Sequence, residues 1–590
     1  MTHRSDDTAT PTSDGAPSEE SPIRKHQGLT DDNRFRAGRL AGLGMGAAIW
    51  ALSWPVMIES FLNSLVGLTD TVLAAGLGVA EADAIAGASY IMWFIGLVIM
   101  AVGGGSTAMI ARAVGANRLA AARTVLGQAV LVGLVVGIVT AIGVVALASP
   151  VAGIMRMTDA ATASFVTYMK IIAIGVPGAS MLFILTACAR GAGDSRRPLY
   201  AMIARNLVNI AASFLLSGVD ITRTSVELNG AGIEEVVNNT IIANPASFDL
   251  GILGIAIGTV VGDIVAALIL MTMAFRGTWG IALLRKRLVP HWITIRRLLN
   301  LGLPNFLETS GMWFGNFVLI VMVGVISAQA LAAGENAGLL GSHMIAIRIE
   351  ALSFLPGFAM GTAAATLAGQ YLGARRPDMA KRSMLTCAAI ASAIMLACGI
   401  AFVTIPGPLV SVLSAQPEHL ETTPTLLFIC GWVQVPFALG IVFRTAMRGA
   451  GDVKVVMAMT WISTYAIRLP LAFLLSGADI VLGGSDTAAP WIEIPNPMPD
   501  DFPIQGLWGM WVGMCLDLLL RGMLFTWRFI QGGWMKAKVC RAGWIEREGT
   551  EDRESPQRHR DHREEHRVFP SVIESLCVLC ASVVKNVFVF

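Results

Sequence analysis

Charge is scarce in this chain. Only 14% of its 590 residues are Asp, Glu, Lys or Arg, where soluble domains carry about 25%. Neither sign dominates. Lys and Arg number 43 against 41 Asp and Glu, a net of +2, so nothing points to nucleic acid or another polyanion as partner. Cysteine carries little information. Five of the eight, Cys188, Cys387, Cys398, Cys430 and Cys515, lie in apolar stretches, where a small buried hydrophobe is the usual role. Only Cys577 and Cys580 form a CxxC, a weak signal by itself. The core holds no zinc-ligand spacing, nucleophile elbow or phosphate loop, so a membrane enzyme is not expected. Residues 1–40 lack an apolar core near the start, and the first hydrophobic helix is expected to direct insertion.

Apolar residues, by contrast, make up 54%, and mean hydropathy is +0.64. These values exclude a disordered chain and a typical cytosolic enzyme. Twelve apolar stretches reach the length of about 20 residues that a membrane-crossing helix needs: 45–70, 85–109, 125–148, 161–187, 199–217, 251–275, 300–327, 341–368, 384–405, 421–446, 455–476 and 506–530. They are too long and too evenly apolar for barrel strands, which leaves helices. Arginine and lysine gather in alternate connections, including Arg112, Arg118 and Arg123, then Arg285 to Arg287, then Arg375 and Arg376. The other connections are acidic, with only Arg156 and Arg223 as exceptions. The positive-inside rule then predicts both termini in the cytoplasm.

The chain also repeats itself. Residues 189–198 read ARGAGDSRRP and residues 447–456 read MRGAGDVKVV. VGANR at 114–118 returns as LGARR at 372–376, and Leu-Leu-Ser-Gly at 215–218 returns at 474–477. Pro55 and Glu59 correspond to Pro304 and Glu308. Six spans per repeat return the chain to its starting side, so the halves share one orientation, as in parallel-repeat transporters with a site between the halves. The expected fold is an all-α polytopic membrane protein of twelve transmembrane helices in two parallel six-helix repeats. Its expected divisions are a polar cytoplasmic N-terminal segment (1–44), a first lobe (45–275), a basic linker (276–299), a second lobe (300–535) and a charged cytoplasmic tail (536–590). Two matched polar connections, 218–250 and 477–505, read as exposed decoration or as lids.

Pro55 with the following Leu-Thr-Asp-Thr (68–71) and Gly76-Leu-Gly, the paired RGAGD turns, Arg468-Leu-Pro470 and GLWGMWVG at 506–513 resemble the multidrug and toxic compound extrusion (MATE) family over roughly residues 45–535. The resemblance implies an antiporter in the inner (plasma) membrane that exports organic, often cationic compounds in exchange for protons or sodium. It implies no organic cofactor and no bound metal beyond the coupling ion. The expected partners are the bilayer and a small-molecule substrate, and the expected state is a monomer. The alternative is a flippase for a lipid-linked or polysaccharide precursor, which would need cationic groups such as Arg348, Arg444 and Arg468 inside the bundle.

Ionised groups at mid-bilayer are costly and face cavities or partners. Glu59, Asn63 and Asp70 share one face of the first span at helical spacing. Desolvation and like charge would tune such carboxylates for proton exchange, and the same oxygens could ligate sodium. The resemblance makes Asp70 the first choice for cation coupling. Asn209, Ser213 and Thr259 occupy further family positions. Many relatives carry an Asp where this chain has Ser213, and Asp263, one turn beyond Thr259, is a candidate replacement. For substrate the candidates are Glu308, Asn316, His343 and Glu350. Glu350 would either bind substrate or neutralise Arg348 or Arg468. Asp517 and Arg521, four apart, read as an intrahelical pair. In the RGAGD turns the Gly ends a helix, the Arg is expected to snorkel to the headgroups, and the Asp caps the next helix. Residues 546–567, with His559, His562 and His566, read as a solvated tail, and 568–590 as peripheral.

Overall fold

The structure, a computed structural model, describes residues 29–30, 32–36, 38–155, 157–228, 234–245, 248–332, 338–414, 416–482, 492–499 and 505–537. The histidine-bearing tail and the CxxC lie outside these residues. The first lobe contains α1 (Met45–Leu77), α2 (Val79–Gly115), α3 (Leu119–Ile154), α4 (Asp159–Gly191), α5 (Arg196–Ser217) and α6 (Ile252–Phe275). The second contains α7 (Trp292–Ala332), α8 (Leu339–Gly373), α9 (Pro377–Thr404), the short α10 (Pro406–Ser411), α11 (Pro417–Gly431), α12 (Gln434–Ala450), α13 (Val453–Trp461), α14 (Leu469–Ser476) and α15 (Gly506–Gln531). Among the described residues eleven spans are long and apolar enough to cross a bilayer, and a twelfth is built from α11 and α12, bent by 62° at their junction. The expected twelve-helix count therefore holds, with one span broken rather than straight. Helices such as α2, with 37 residues, and α7, with 41, are about 55–60 Å long at 1.5 Å per residue and extend beyond a hydrocarbon layer of about 30 Å.

The repeat extends to backbone detail. Gly193 and Gly451 close the RGAGD turns in the left-handed conformation, at φ 91° and 90°, where a Cβ would be strained. Asn117 and Arg375, equivalent residues of VGANR and LGARR, share a positive φ of 56° and 61°. The two long connections, read as exposed decoration or as lids, each contain an antiparallel hairpin: β1 (Ile221–Leu228) with β2 (Glu234–Ile242), and β3 (Ile480–Leu482) with β4 (Ile492–Ile494). Each is tied to its lobe in the same way. Asn244 Nδ2 donates to the Phe214 carbonyl at 2.5 Å, and Asn496 Nδ2 to the Phe473 carbonyl at 2.6 Å. Their backbone amides donate to Asp220 and Asp479, each at 2.6 Å.

The two lobes exchange the starts of their first helices. Ala48, Ile49 and Leu52 of α1 are buried in a core with residues of α8, α9, α12 and α15. Leu298 and Leu301 of α7 belong to the core built by α2 to α6.

Candidate functional site

The lobes meet at the end of the bundle that carries the RGAGD turns. Gly115 of α2 lies so close to the Gln370 backbone, and Gly373 of α8 to the Arg112 carbonyl, that neither place has room for a Cβ. Gln370 Nε2 donates to the Gly191 carbonyl at 3.1 Å, Thr366 Oγ1 to the Arg190 carbonyl at 3.2 Å, and Arg112 Nη2 to the Ala450 carbonyl at 2.7 Å. Nearer the middle of the spans Trp93 rests on Trp313, centroids 4.7 Å apart. The inter-lobe contacts named here all lie between this arginine-rich end and the middle of the spans.

Each lobe holds an ionic cluster within its spans. In the first, Glu59 is buried and receives Arg190 Nη2 at 2.5 Å. Arg190 thus turns inward rather than reaching the headgroups, a correction that also covers Arg448, because each guanidinium finds a buried acceptor on its own lobe's first helix. Arg205 of α5 pairs through Nε with Asp263 of α6 and reaches Asn63 Oδ1 at 3.5 Å. Asp70 and Glu59 also face Arg205. Asp70 is half-buried beside Thr259, Arg205, Asp263 and Tyr168, and its Oδ1 is enclosed without a hydrogen-bond partner among the described residues. Asn209 Nδ2 donates to Thr259 Oγ1 at 2.9 Å, and Ser213 Oγ to the Ile255 carbonyl at 3.3 Å. Asn63, Asp70 and Asp263 are therefore brought around one guanidinium, with Thr259 beside Asp70, Asn209 bonded to Thr259 and Ser213 spent on backbone.

In the second lobe Glu308 is fully buried. It accepts from Thr460 at 3.0 Å and lies 3.9 Å from Arg444 and 3.7 Å from Arg448. Arg448 donates to Asn305 at 2.6 Å. His343 is buried with its Nδ1 facing Trp511 Nε1 at 3.0 Å, a satisfied interior histidine. Glu350 lies beside Arg468 and Cys430, while Arg348 is exposed. Asn316 accepts from Arg468 Nη1 at 2.8 Å. Asp517 and Arg521 form the expected pair at 2.7 Å, and Ser463 bonds both. Asp194 caps as expected, accepting from the Arg196 and Arg197 amides at 3.1 and 3.2 Å, whereas Asp452, its counterpart, makes no side-chain cap and is drawn instead to Arg528 at 2.8 Å. Among the described residues no group of His, Cys, Asp or Glu is placed to hold a metal.

Arg205, Arg190 and Arg448 are the partners that sequence reasoning missed. Two signals were available. Arg205 is a charge inside a span, which is a functional candidate by default. The Arg190–Glu59 and Arg448–Glu308 pairs repeat both members at equivalent positions.

Removing one member of a buried pair leaves an uncompensated charge and costs about 3–5 kcal/mol. Arg190→Met is expected to lower stability in detergent by that amount. Adding Glu59→Gln should restore most of it. Denaturant unfolding of both variants checks this, and equal losses in the two would show that the pair is not the cause.

Known proteins align with this architecture. The "Probable multidrug resistance protein NorM" of Thermotoga maritima is 26% identical over 495 residues, covering 83% of this chain and 93% of its own length. The "Multidrug resistance protein PmpM" of Pseudomonas aeruginosa is 23% identical over 469 residues, 79% of this chain and 87% of its own. A crystal structure described as "MATE in the bent conformation" superimposes with a TM-score of 0.68 at 18% identity, over 84% of this chain and 97% of that one. Residues 55–215 and 304–474, the cores of the two repeats, match the MatE family model. This chain belongs to the MatE family.

Proposed function

We propose that this multi-pass membrane protein is a secondary antiporter of the plasma membrane, exporting amphiphilic organic compounds in exchange for protons or sodium. The observation that carries the reading is Asp70. In the first-lobe cluster Arg190 holds Glu59 and Arg205 holds Asp263, so the carboxylate with an unpartnered buried oxygen is the one best placed to take up an incoming cation. Asn63 and the Thr259 and Asn209 side chains supply neutral oxygens around it. The basic connections favour a cytoplasmic placement of the sealed end. The conformation is then closed to the cytoplasm and reached from the hairpin side.

Uptake of a cation at Asp70 shifts the balance of the two lobe arrangements, and the exported compound is released because it prefers the other arrangement. One pH unit supplies about 1.4 kcal/mol per proton, and 100 mV adds about 2.3 kcal/mol per charge. Accumulation of a fluorescent dye in efflux-deficient cells, measured under separate proton and sodium gradients, tests the reading. Export driven by one gradient and abolished when it collapses is expected. No export under either would overturn it. The flippase alternative draws on the arginines of the second lobe.

A further inference from the structure

The second lobe holds an ionic cluster with more cation than anion. Around one strip of α7 stand Arg444 of α12, Arg521 of α15 and Arg468, with Arg448 one turn beyond Arg444. The carboxylates facing them are Glu308, Glu350 and Asp517. Among the described residues four guanidiniums thus meet three carboxylates. Their hydrogen bonding is just as unequal. Arg521 is satisfied by Asp517 at 2.7 Å, Ser463 at 2.9 Å and Thr464 at 3.3 Å. Arg448 is satisfied by Asn305. Arg468 has Asn316, but its Nε is enclosed without a partner among the described residues. Arg444 has a single hydrogen-bond acceptor among the described residues, the Met312 thioether at 3.1 Å, and its Nε is also enclosed and unpartnered. A thioether is a weak acceptor, and a guanidinium offers five N–H groups in a planar fork. Such a group, mostly enclosed, poorly hydrogen-bonded and no nearer than 3.9 Å to its carboxylate Glu308, is built for something that arrives.

Backbone geometry supports this. Residues Ile462–Arg468 form a π-helical stretch between α13 and α14. Such widened turns are rare and recur at functional sites. This one delivers Ser463 and Thr464 to Arg521 and places Arg468 against Asn316. Met312 and Asn316, four apart on α7, face Arg444 with Arg521 and Arg468 respectively.

We propose that Arg444 and Arg468 form a subsite for an oxyanion carried by an amphiphilic compound, a carboxylate or a lipid phosphate, above Met312 and Asn316. A carboxylate or phosphate matches the guanidinium fork with two parallel charge-assisted bonds and cancels the surplus charge. The subsite deepens the efflux reading by giving the exported compound an anionic group, and it rests on that reading for transport but not for binding. Arg521, already engaged, positions the π-helical stretch. Arg348, exposed on the same lobe, takes no part.

The test is equilibrium binding to the purified full chain in detergent, with carboxyfluorescein and with the cationic dye rhodamine 123. Carboxyfluorescein is expected to bind at least about tenfold tighter, and Arg444→Gln and Arg468→Gln each to weaken it by about tenfold or more. Arg348→Gln should change nothing, and Arg444→Lys should retain part of the affinity. Displacement of the dye by phosphatidic acid but not phosphatidylcholine would support the subsite and identify a lipid headgroup as its source. Displacement by a soluble aromatic carboxylate alone would support it and identify an organic acid. Equal affinity for the two dyes, or unchanged binding in folded Arg444→Gln, overturns the subsite. Should both glutamine variants fail to fold, the dye preference of the unaltered chain decides alone. No gradient enters this measurement, so its failure leaves the efflux reading standing, and failed efflux leaves the dye preference intact.

Discussion

Asp70→Asn is expected to abolish cation-driven export, with dye efflux falling by about tenfold or more under proton and sodium gradients alike. Coupling free energies between two ligands commonly span about 1–3 kcal/mol, or 5–150-fold, and this substitution removes the group through which the coupling would run. The amide keeps the size of the side chain and removes its charge and titratable proton. The protein should therefore fold and reach the membrane. Asp263→Asn makes an informative companion. It releases Arg205, which already faces Asp70, and the freed guanidinium should occupy Asp70 as a permanent cation. Export should then fall although Asp70 is untouched, and a second change, Arg205→Gln, should recover part of it. Full-rate efflux by Asp70→Asn under both gradients would remove Asp70 from the coupling role.

Gly115→Val is expected to break the seal between the lobes while leaving each lobe folded. Its Cβ would fall on the Gln370 backbone, which cannot move aside as a side-chain tip can. Overpacking costs about 1–3 kcal/mol, and here the cost falls on the sealed arrangement alone, so the sealed population should drop by about 5–150-fold. A cysteine replacing the buried Thr366 reports this. Its labelling by an impermeant maleimide applied from the arginine-rich side should accelerate by that factor. Unchanged labelling in a folded Gly115→Val protein would show that the contact between α2 and α8 does not control access.

Much of the fold was legible because its signals are periodic and redundant. The apolar stretches, the alternating basic connections and the repeated RGAGD each point to the same twelve-span arrangement. The bend between α11 and α12 was not, since Gly431 and Pro436, which flank the break at Trp432 and Val433, lie inside one long apolar stretch that reads as a single span. The hairpins were hidden by the polar composition of the loops that contain them. Of the site, the first span could be read, because Glu59, Asn63 and Asp70 are polar exceptions on an apolar helix. Which carboxylate is already paired could not, because Arg190 and Arg205 come from distant spans and only packing brings them close. The same limit applies to Arg444, whose position in sequence says nothing of the thioether it meets.

The exchanged helix starts also bear on how the molecule is made. The first six spans leave the ribosome well before the residues around Met360 to Tyr371 that cover Ala48, Ile49 and Leu52. Until that partner is synthesised, the opening segment has no core to enter, and the first lobe still lacks Leu298 and Leu301. Although the sequence is written twice, the halves are not interchangeable cassettes. A truncated product ending after α6 would carry an unfinished surface at each side of the gap, the kind of exposed apolar face that membrane quality control removes.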